Sequence, residues 1–248
     1  MSGRVISIAI PHYNNAEFMK DTLEYIVNDD RIAEIIICDD CSKDFETLQA
    51  LIQKLNNNKI MLFKNETNIG CYHNKLFTLT KCNHEWVILL DSDNIINKEY
   101  IDVLYNIDTW DNTIIYAPMW AKTFPGTHSP NLNYSKFKNQ FIDHTNYLNN
   151  FHDIVFKCLI NTCNYFIPVK PYLQIMNKYT YTREIIDSLD SAVLFTDWLC
   201  DKNKVFVVEN LTYFHRLHKN SNYTLSQSKK HTGLVENNLI SKINNLNK

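Results

Sequence analysis

The stretch EWVILLDSDNIINKEY, residues 85–100, runs four apolar residues, Val87 to Leu90, directly into Asp91-Ser92-Asp93-Asn94. Two carboxylates one residue apart at the end of a buried strand suit a hard divalent cation, which takes oxygen ligands. They suit equally well the N-terminus of a helix starting near Lys98, where a side-chain oxygen caps free backbone N–H groups. Residues two apart on a strand share a face with Cα atoms roughly 6.6 Å apart. One ion at metal–oxygen distances of about 2.1 Å is then reached by both only if the chain turns after Leu90. Asp93, farther out from the strand, is the better direct ligand.

The rest of the chain decides between the two roles. RVISIAI (4–10), AEIIIC (33–38), KIMLFKN (59–65) and EWVILLD (85–91) are short, β-branched and apolar on both faces, as strands. Between them the apolar residues recur at helical spacing over 16–27, 44–55 and 74–82. In the second of these Phe45, Leu48, Leu51, Ile52 and Leu55 share one face and Asp44 is the expected N-cap. Strands alternating with helices predict a parallel sheet covered on both faces. Ligands of such sheets bind outside the carboxyl ends of the strands. Pro11–Asn14, Asp39–Asp40, Asn65–Asn68 and Asp91–Asp93 all follow strand ends. Four strands thus deliver polar groups to one edge, which outweighs any single motif.

Composition narrows the chemistry. A chain of 248 residues with 45% hydrophobic and 21% charged residues can bury a sizeable core. A formal net charge of -2 predicts neither nucleic-acid steering nor attraction to anionic membranes. No apolar run approaches the roughly 18 residues of a membrane span. The N-terminus reads as a strand, with no secretory leader pattern. Seven cysteines, an odd number, fit reduced thiols, and a cytoplasmic location is expected. The only glycines are Gly3, Gly70, Gly126 and Gly233, so neither GxGxxG nor GxxxxGK[ST] can be written. A bound diphosphate would therefore need a metal and cationic side chains as its countercharge.

Beyond residue 110 the pattern weakens. TIIYAPM (113–119) reads as a strand, followed by a polar, aromatic, Pro-punctuated stretch expected as a long functional loop with short helices. One or two strands fall in 205–221 and an amphipathic helix in 233–246. Trp110, Trp120, Phe124, Tyr134 and Phe137 are candidates for a sugar platform, although most such rings belong to a core.

VISIAIPHYNNAEFMKDTLEYI, EIIICDDCSKD, NETNIGCYHNK and VILLDSDNIINKEYI occur in the order and spacing of family-2 glycosyltransferases with the GT-A fold, which this chain resembles over about its first 105 residues. The likeness resumes more weakly over 187–221, in SLDSAVLFTDWLC and FHRLHKNS. It implies an α/β, mostly parallel Rossmann-like sheet flanked by helices. It also implies a single domain over 1–225, with a nucleotide-binding half (1–105), an acceptor-side half (106–225) and a C-terminal helix (226–248).

What the resemblance implies for the site is specific. Pro11, Tyr13, Asp39, Asp40, Asn68, Asp91 and Ser92 would face the nucleotide, with Tyr13 beside the base and Asp39 and Asp40 accepting hydrogen bonds from base and ribose. Asp91, Asp93 and His218 would hold Mn²⁺ or Mg²⁺, with His215 a rival to His218, and Arg216 could meet a phosphate. Asp190 would be the base of an inverting transfer, with Asp187 and Asp197 as rivals. The donor would be a nucleotide-sugar, a UDP-sugar before a GDP- or dTDP-sugar. The acceptor would be a glycan, glycolipid or protein, with no nucleic-acid partner and a possible homo-oligomer. His12 replaces the usual Thr, Cys41 a common Gly, and His73 sits near the position of a frequent Arg. Lys75 either compensates for that Arg or is a solvated helix residue. The alternative is a catalytically inactive, GT-A-like nucleotide-binding or scaffolding module. A nucleotidyltransferase is disfavoured, because the opening IPHYNNAEF carries no Gly-rich loop.

Overall fold

Ile8, Ala9 and Ile10, then Ile35, Ile36 and Ile37, then Val87 and Ile88 alternate in direction along their strands yet are all fully buried, so both faces of this sheet are covered. These strands form the first half of a computed structural model that describes residues 4–127, 131–181, 186, 189–218 and 232–246. In it β1 (Ile6–His12), β2 (Ile32–Asp39), β3 (Ile60–Lys64) and β4 (Trp86–Leu89) are parallel, in the spatial order β3-β2-β1-β4. The intervening helices are α1 (Ala16–Glu24), α2 (Phe45–Leu55) and α3 (Cys71–Thr80), and α4 (Lys98–Tyr105) follows β4.

The second half continues the same sheet with mixed direction. β5 (Ile114–Thr123) pairs parallel with β9 (Lys204–His215) and antiparallel with β6 (Leu132–Asn133), while β8 (Tyr165–Pro168) lies antiparallel between β4 and β5. β7 (Phe141–Ile142) closes the far edge on β9, giving the order β3-β2-β1-β4-β8-β5-β9-β7. The stretch expected as a loop holds β6, β7, α5 (Tyr147–Asn150) and α6 (Ile154–Ile160). α7 (Val169–Met176), α8 (Asp190–Cys200) and α9 (Thr232–Leu246) are the remaining helices named among the described residues. A single long β9 stands where one or two late strands were expected. It passes Pro118 through a register shift at which Asn210 takes φ 65°, an irregularity beside a residue that cannot donate to the ladder.

Two helix starts differ from the sequence reading. Asp44 sits at the N-cap position of α2 but does not cap it; its Oδ2 accepts the Ala16 N–H at 2.8 Å, at the start of the neighbouring α1. α4 is capped by Asn97, whose Oδ1 accepts the Tyr100 N–H at 3.3 Å. Asp91 and Asp93 therefore do not serve as its caps. Of the candidate platform rings, Tyr134 and Phe137 are core, and Trp110 packs on Phe166 at 4.7 Å. Cys38 and Cys41 have C-x-x-C spacing, but the end of β2 turns Cys38 inward and leaves Cys41 exposed, and both thiols are free.

Candidate active site

The carboxyl ends of β1, β2 and β4 meet at one edge. At the end of β1, Asn14 takes φ 54°, and its backbone N–H donates to Ser42 Oγ at 2.9 Å. Its Oδ1 accepts the Lys43 N–H at 2.9 Å, so the turns after β1 and β2 are stitched together. Tyr13, at the apex, keeps 40% of its surface exposed; Pro11 is partly buried below it.

His12 and Asp39 lie beneath this rim, both fully buried, with Nδ1 and Oδ1 at 2.8 Å. The Asn15 N–H donates to His12 Nε2 at 3.3 Å, which leaves the ring proton on Nδ1, directed at Asp39. Asp39 Oδ2 also accepts the Ser42 N–H at 3.0 Å. Burial alone would raise the Asp39 pKa, but the hydrogen bonds from His12 and Ser42 outweigh it and hold the carboxyl below its usual range. The His that replaces the usual Thr is thus a partner made for this carboxylate.

Asp40 is equally committed. Its Oδ1 accepts from Asn65 Nδ2 at 2.9 Å and the Ile69 N–H at 2.8 Å, and its Oδ2 accepts the Gly70 N–H at 2.9 Å. Asn68 Nδ2 donates to the Asp40 carbonyl at 3.1 Å. Gly70 itself has φ 88°, a left-handed conformation that costs glycine little. Asp40 therefore anchors the whole N-x-G turn that leads into α3.

The Asp-x-Asp turn is held from three sides. Asn164 Oδ1 accepts the Asp91 N–H at 3.0 Å, and Asn164, fully buried with φ 54°, is pinned by the Tyr100 hydroxyl donating to its carbonyl at 2.7 Å. Ser92 is buried under α1, where Asn15 Nδ2 donates to its Oγ at 3.0 Å and Thr22 Oγ1 to its carbonyl at 3.1 Å. Asn94 Oδ1 accepts the Arg216 N–H at 3.2 Å, and the Ile95–Phe214 bridge ties the turn to the end of β9. Arg216 is buried between Phe18 and Phe124, 4.4 and 4.3 Å from their ring centroids, and pairs with Asp21 at 2.8 Å. Held this way, His218 brings Nε2 to 3.1 Å from Asp93 Oδ2. Burial holds the His215 imidazole below its usual pKa.

Across the edge, Lys75 projects from α3 between two carboxylates. Its Nζ is 2.6 Å from Asp190 Oδ2, 3.4 Å from Asp91 Oδ1 and 3.1 Å from Ser191 Oγ, with the side chain 7% exposed. This corrects the reading of Lys75 as a solvated helix residue. Burial would lower its pKa, yet Asp190 and Asp91 drive it well above the usual value. Asp91 is pushed up by burial against the pull of Lys75, with Asp93 and Asp190 adding like charge. Asp197 stands apart, buried two turns along α8 and paired with Lys242 of α9 at 2.6 Å. Asp187 lies outside the described residues. Among the described residues, no group of three or more His, Cys, Asp and Glu side chains is gathered as a ready-made metal cage. No helix there is long and apolar enough to cross a membrane.

The structure thus brings Asp91, Asp93, Asp190 and His218 to one edge, with Asp39 and Asp40 bracing its walls. Asn164 is the member that sequence reasoning missed, and Lys75 enters that reasoning only as a stand-in for an Arg or a solvated residue. Ligands of open α/β sheets bind at a switch point such as this edge, outside the carboxyl ends of the strands. Residues 7–165 match the family model described as glycosyl transferase family 2, and the chain belongs to that family. It is 29% identical over 118 residues to the poly(ribitol-phosphate) beta-N-acetylglucosaminyltransferase TarS of Staphylococcus aureus (strain Mu50), covering 46% of this chain and 20% of TarS. It is 26% identical over 102 residues to the glycosyltransferase GlyG of Streptococcus pneumoniae serotype 4, covering 41% of this chain and 34% of GlyG. The chain thus matches between a fifth and about a third of the length of these curated relatives. In fold it is similar to the crystal structure of S. aureus TarS 1–349 in complex with UDP-GlcNAc, with TM-score 0.72 and 18% identity. That likeness covers 96% of this chain and 66% of the TarS one. A GT-A fold is what the sequence motifs led us to expect.

Proposed function

We propose that this chain transfers a sugar from a nucleoside-diphosphate sugar, a UDP-sugar before others, to an acceptor hydroxyl with inversion at the anomeric carbon. The observation that carries the reading is the approach of Asp190 to Asp91 through Lys75, at 2.6 and 3.4 Å. It gives the strand edge a proton acceptor beside the carboxylates that would face the donor. In the reaction, the acceptor oxygen bonds to the anomeric carbon as the bond from that carbon to the phosphate oxygen breaks. The hydroxyl proton passes to the Asp190 carboxylate, and the electron pair leaves with the nucleoside diphosphate.

Asp93 and His218, 3.1 Å apart, fit a divalent ion of the Mg²⁺ or Mn²⁺ kind. Such ions are commonly held by one or two protein groups together with substrate phosphates, which suits an edge without a complete protein cage. When bound, the ion would offset diphosphate charge and favour departure of the leaving group. Tyr13 would stack on the base, while Asp39 and Asp40 hold the turns that form its pocket. The UDP preference is supported by the UDP-GlcNAc complex of the similar TarS structure. The seven free cysteines suit a cytoplasmic setting for the donor side.

The test is thermal stability against UDP, GDP, CMP and dTDP, each with and without Mn²⁺. We expect stabilisation by UDP that requires Mn²⁺ and is lost in Asp93→Ala. At a hundredfold excess over the dissociation constant the gain is about 2.7 kcal/mol. No stabilisation by any nucleotide would return the inactive-module reading.

A further inference from the structure

The proposed reaction uses Asp190 on one side and Asp91 on the other, and it leaves unexplained why a buried ammonium stands between them. An ammonium has three protons and no acceptor. Lys75 Nζ already faces three side-chain oxygens, those of Asp190, Ser191 and Asp91, at 2.6, 3.1 and 3.4 Å. It donates to Ser191 Oγ and lies in ionic contact with both carboxylates, so a diphosphate would have to compete with two protein carboxylates to be bound by it.

The position is also well constrained. Lys75 lies one turn after Tyr72 and one before Leu79 on the face of α3 that packs into the core, all three side chains being buried. Its stem is therefore enclosed and the head has one place to go. Two carboxylates this close to each other repel, and a single cation between them removes that repulsion and fixes their separation.

We infer that Lys75 is a positioning residue for the base: it holds Asp190 at a fixed place relative to Asp91, and so acts on turnover rather than on donor binding. The inference rests on the reading of Asp190 as the base. It differs from the obvious role of a lysine near a nucleotide, which is to bind phosphate.

The experiment compares Lys75→Gln and Lys75→Arg with the unmodified protein, measuring UDP affinity in Mn²⁺ by calorimetry and sugar transfer by UDP release. A positioned base contributes about 10²–10⁴-fold. We expect Lys75→Gln to lower kcat by roughly 10²-fold, while the UDP dissociation constant and the donor KM stay within about threefold. Lys75→Arg, which keeps the cation, should recover part of kcat. The double variant Lys75→Met/Asp190→Asn removes the closer ion pair as a unit and leaves no unpaired charge at Asp190 to hinder folding. It should turn over no more slowly than Asp190→Asn alone.

A UDP affinity that falls tenfold or more in Lys75→Gln would make Lys75 a phosphate ligand and overturn the inference. So would an unchanged kcat, or a double variant much slower than Asp190→Asn. If instead Asp190→Asn itself keeps full activity, the assignment of the base has failed and not only the role of Lys75.

Discussion

Lys242→Met tests how the helix carrying Asp190 is held. Asp190 opens α8, and Asp197 lies two turns further along it, fully buried. Asp197 Oδ1 pairs with Lys242 Nζ at 2.6 Å, and its Oδ2 accepts from the Tyr181 hydroxyl at 2.5 Å. Lys242 also lies over the rings of Tyr179 and Tyr181, 4.3 and 4.5 Å from their centroids. Removing one partner of such a buried pair costs about 3–5 kcal/mol, because the other charge stays buried. Tyr181 still donates to Asp197, so we place the loss near the lower end, about 3 kcal/mol. For a chain of this size that is a fall in Tm of roughly 6–12 °C.

The loss has a pH signature. Burial already raises the Asp197 pKa, and Lys242 is the main group pulling it back. Without Lys242 the folded pKa rises further above the unfolded value, and stability then falls as pH rises through that interval. The deficit should be full at neutral pH and narrow as the pH is brought down toward about 4. Chemical denaturation across pH measures this. The double variant Asp197→Asn/Lys242→Met, with no charge left to bury, should return to within about 1 kcal/mol of the unmodified protein. A Lys242→Met deficit below about 0.5 kcal/mol, or one that does not change with pH, would refute the reasoning.

Other substitutions probe the walls of the site. His12→Ala removes the 2.8 Å partner of Asp39 and should destabilise the fold by about 1–3 kcal/mol in urea denaturation at neutral pH. Because Asp39 is held below its usual pKa, its contribution is present above the unfolded value and lost on acidification. The gap between His12→Ala and the parent should therefore close below about pH 4. Asn164→Ala loses the acceptor for the Asp91 N–H and keeps a Cβ at φ 54° without the Asn side chain that favours that conformation, for a cost of about 2–4 kcal/mol. Asn164→Gly, free of the backbone term, should be more stable than Asn164→Ala by about 1 kcal/mol in the same measurement.

The strand ends were legible because they combine two strong signals: apolar runs too short for helices, and polar residues immediately after them. The helix caps were less so. Asp44 and Ala16 are 28 residues apart, and only the packing of α1 beside α2 makes one the cap of the other. Asn164 carried no local pattern, since its role depends on β8 lying antiparallel to β4 and on two successive left-handed residues, Cys163 and Asn164. Lys75 is a different case. It lies at helical spacing with Tyr72 and Leu79, both buried, so its inward direction could have been read from the sequence. What hid it was the general rule that lysines are solvated. That rule yields when two carboxylates from distant segments arrive at the same place. His12 shows the same lesson, because its departure from the usual Thr made sense only once Asp39 stood next to it.

The most direct test of sugar transfer is UDP release from a panel of UDP-sugars in Mn²⁺, with a mixture of glycan, glycolipid and peptide acceptors, for the unmodified chain and for Asp190→Asn. The account predicts release from at least one UDP-sugar that depends on acceptor and falls by about 10² or more in the variant. Release that is equally fast in Asp190→Asn, or absent with every donor, would contradict it.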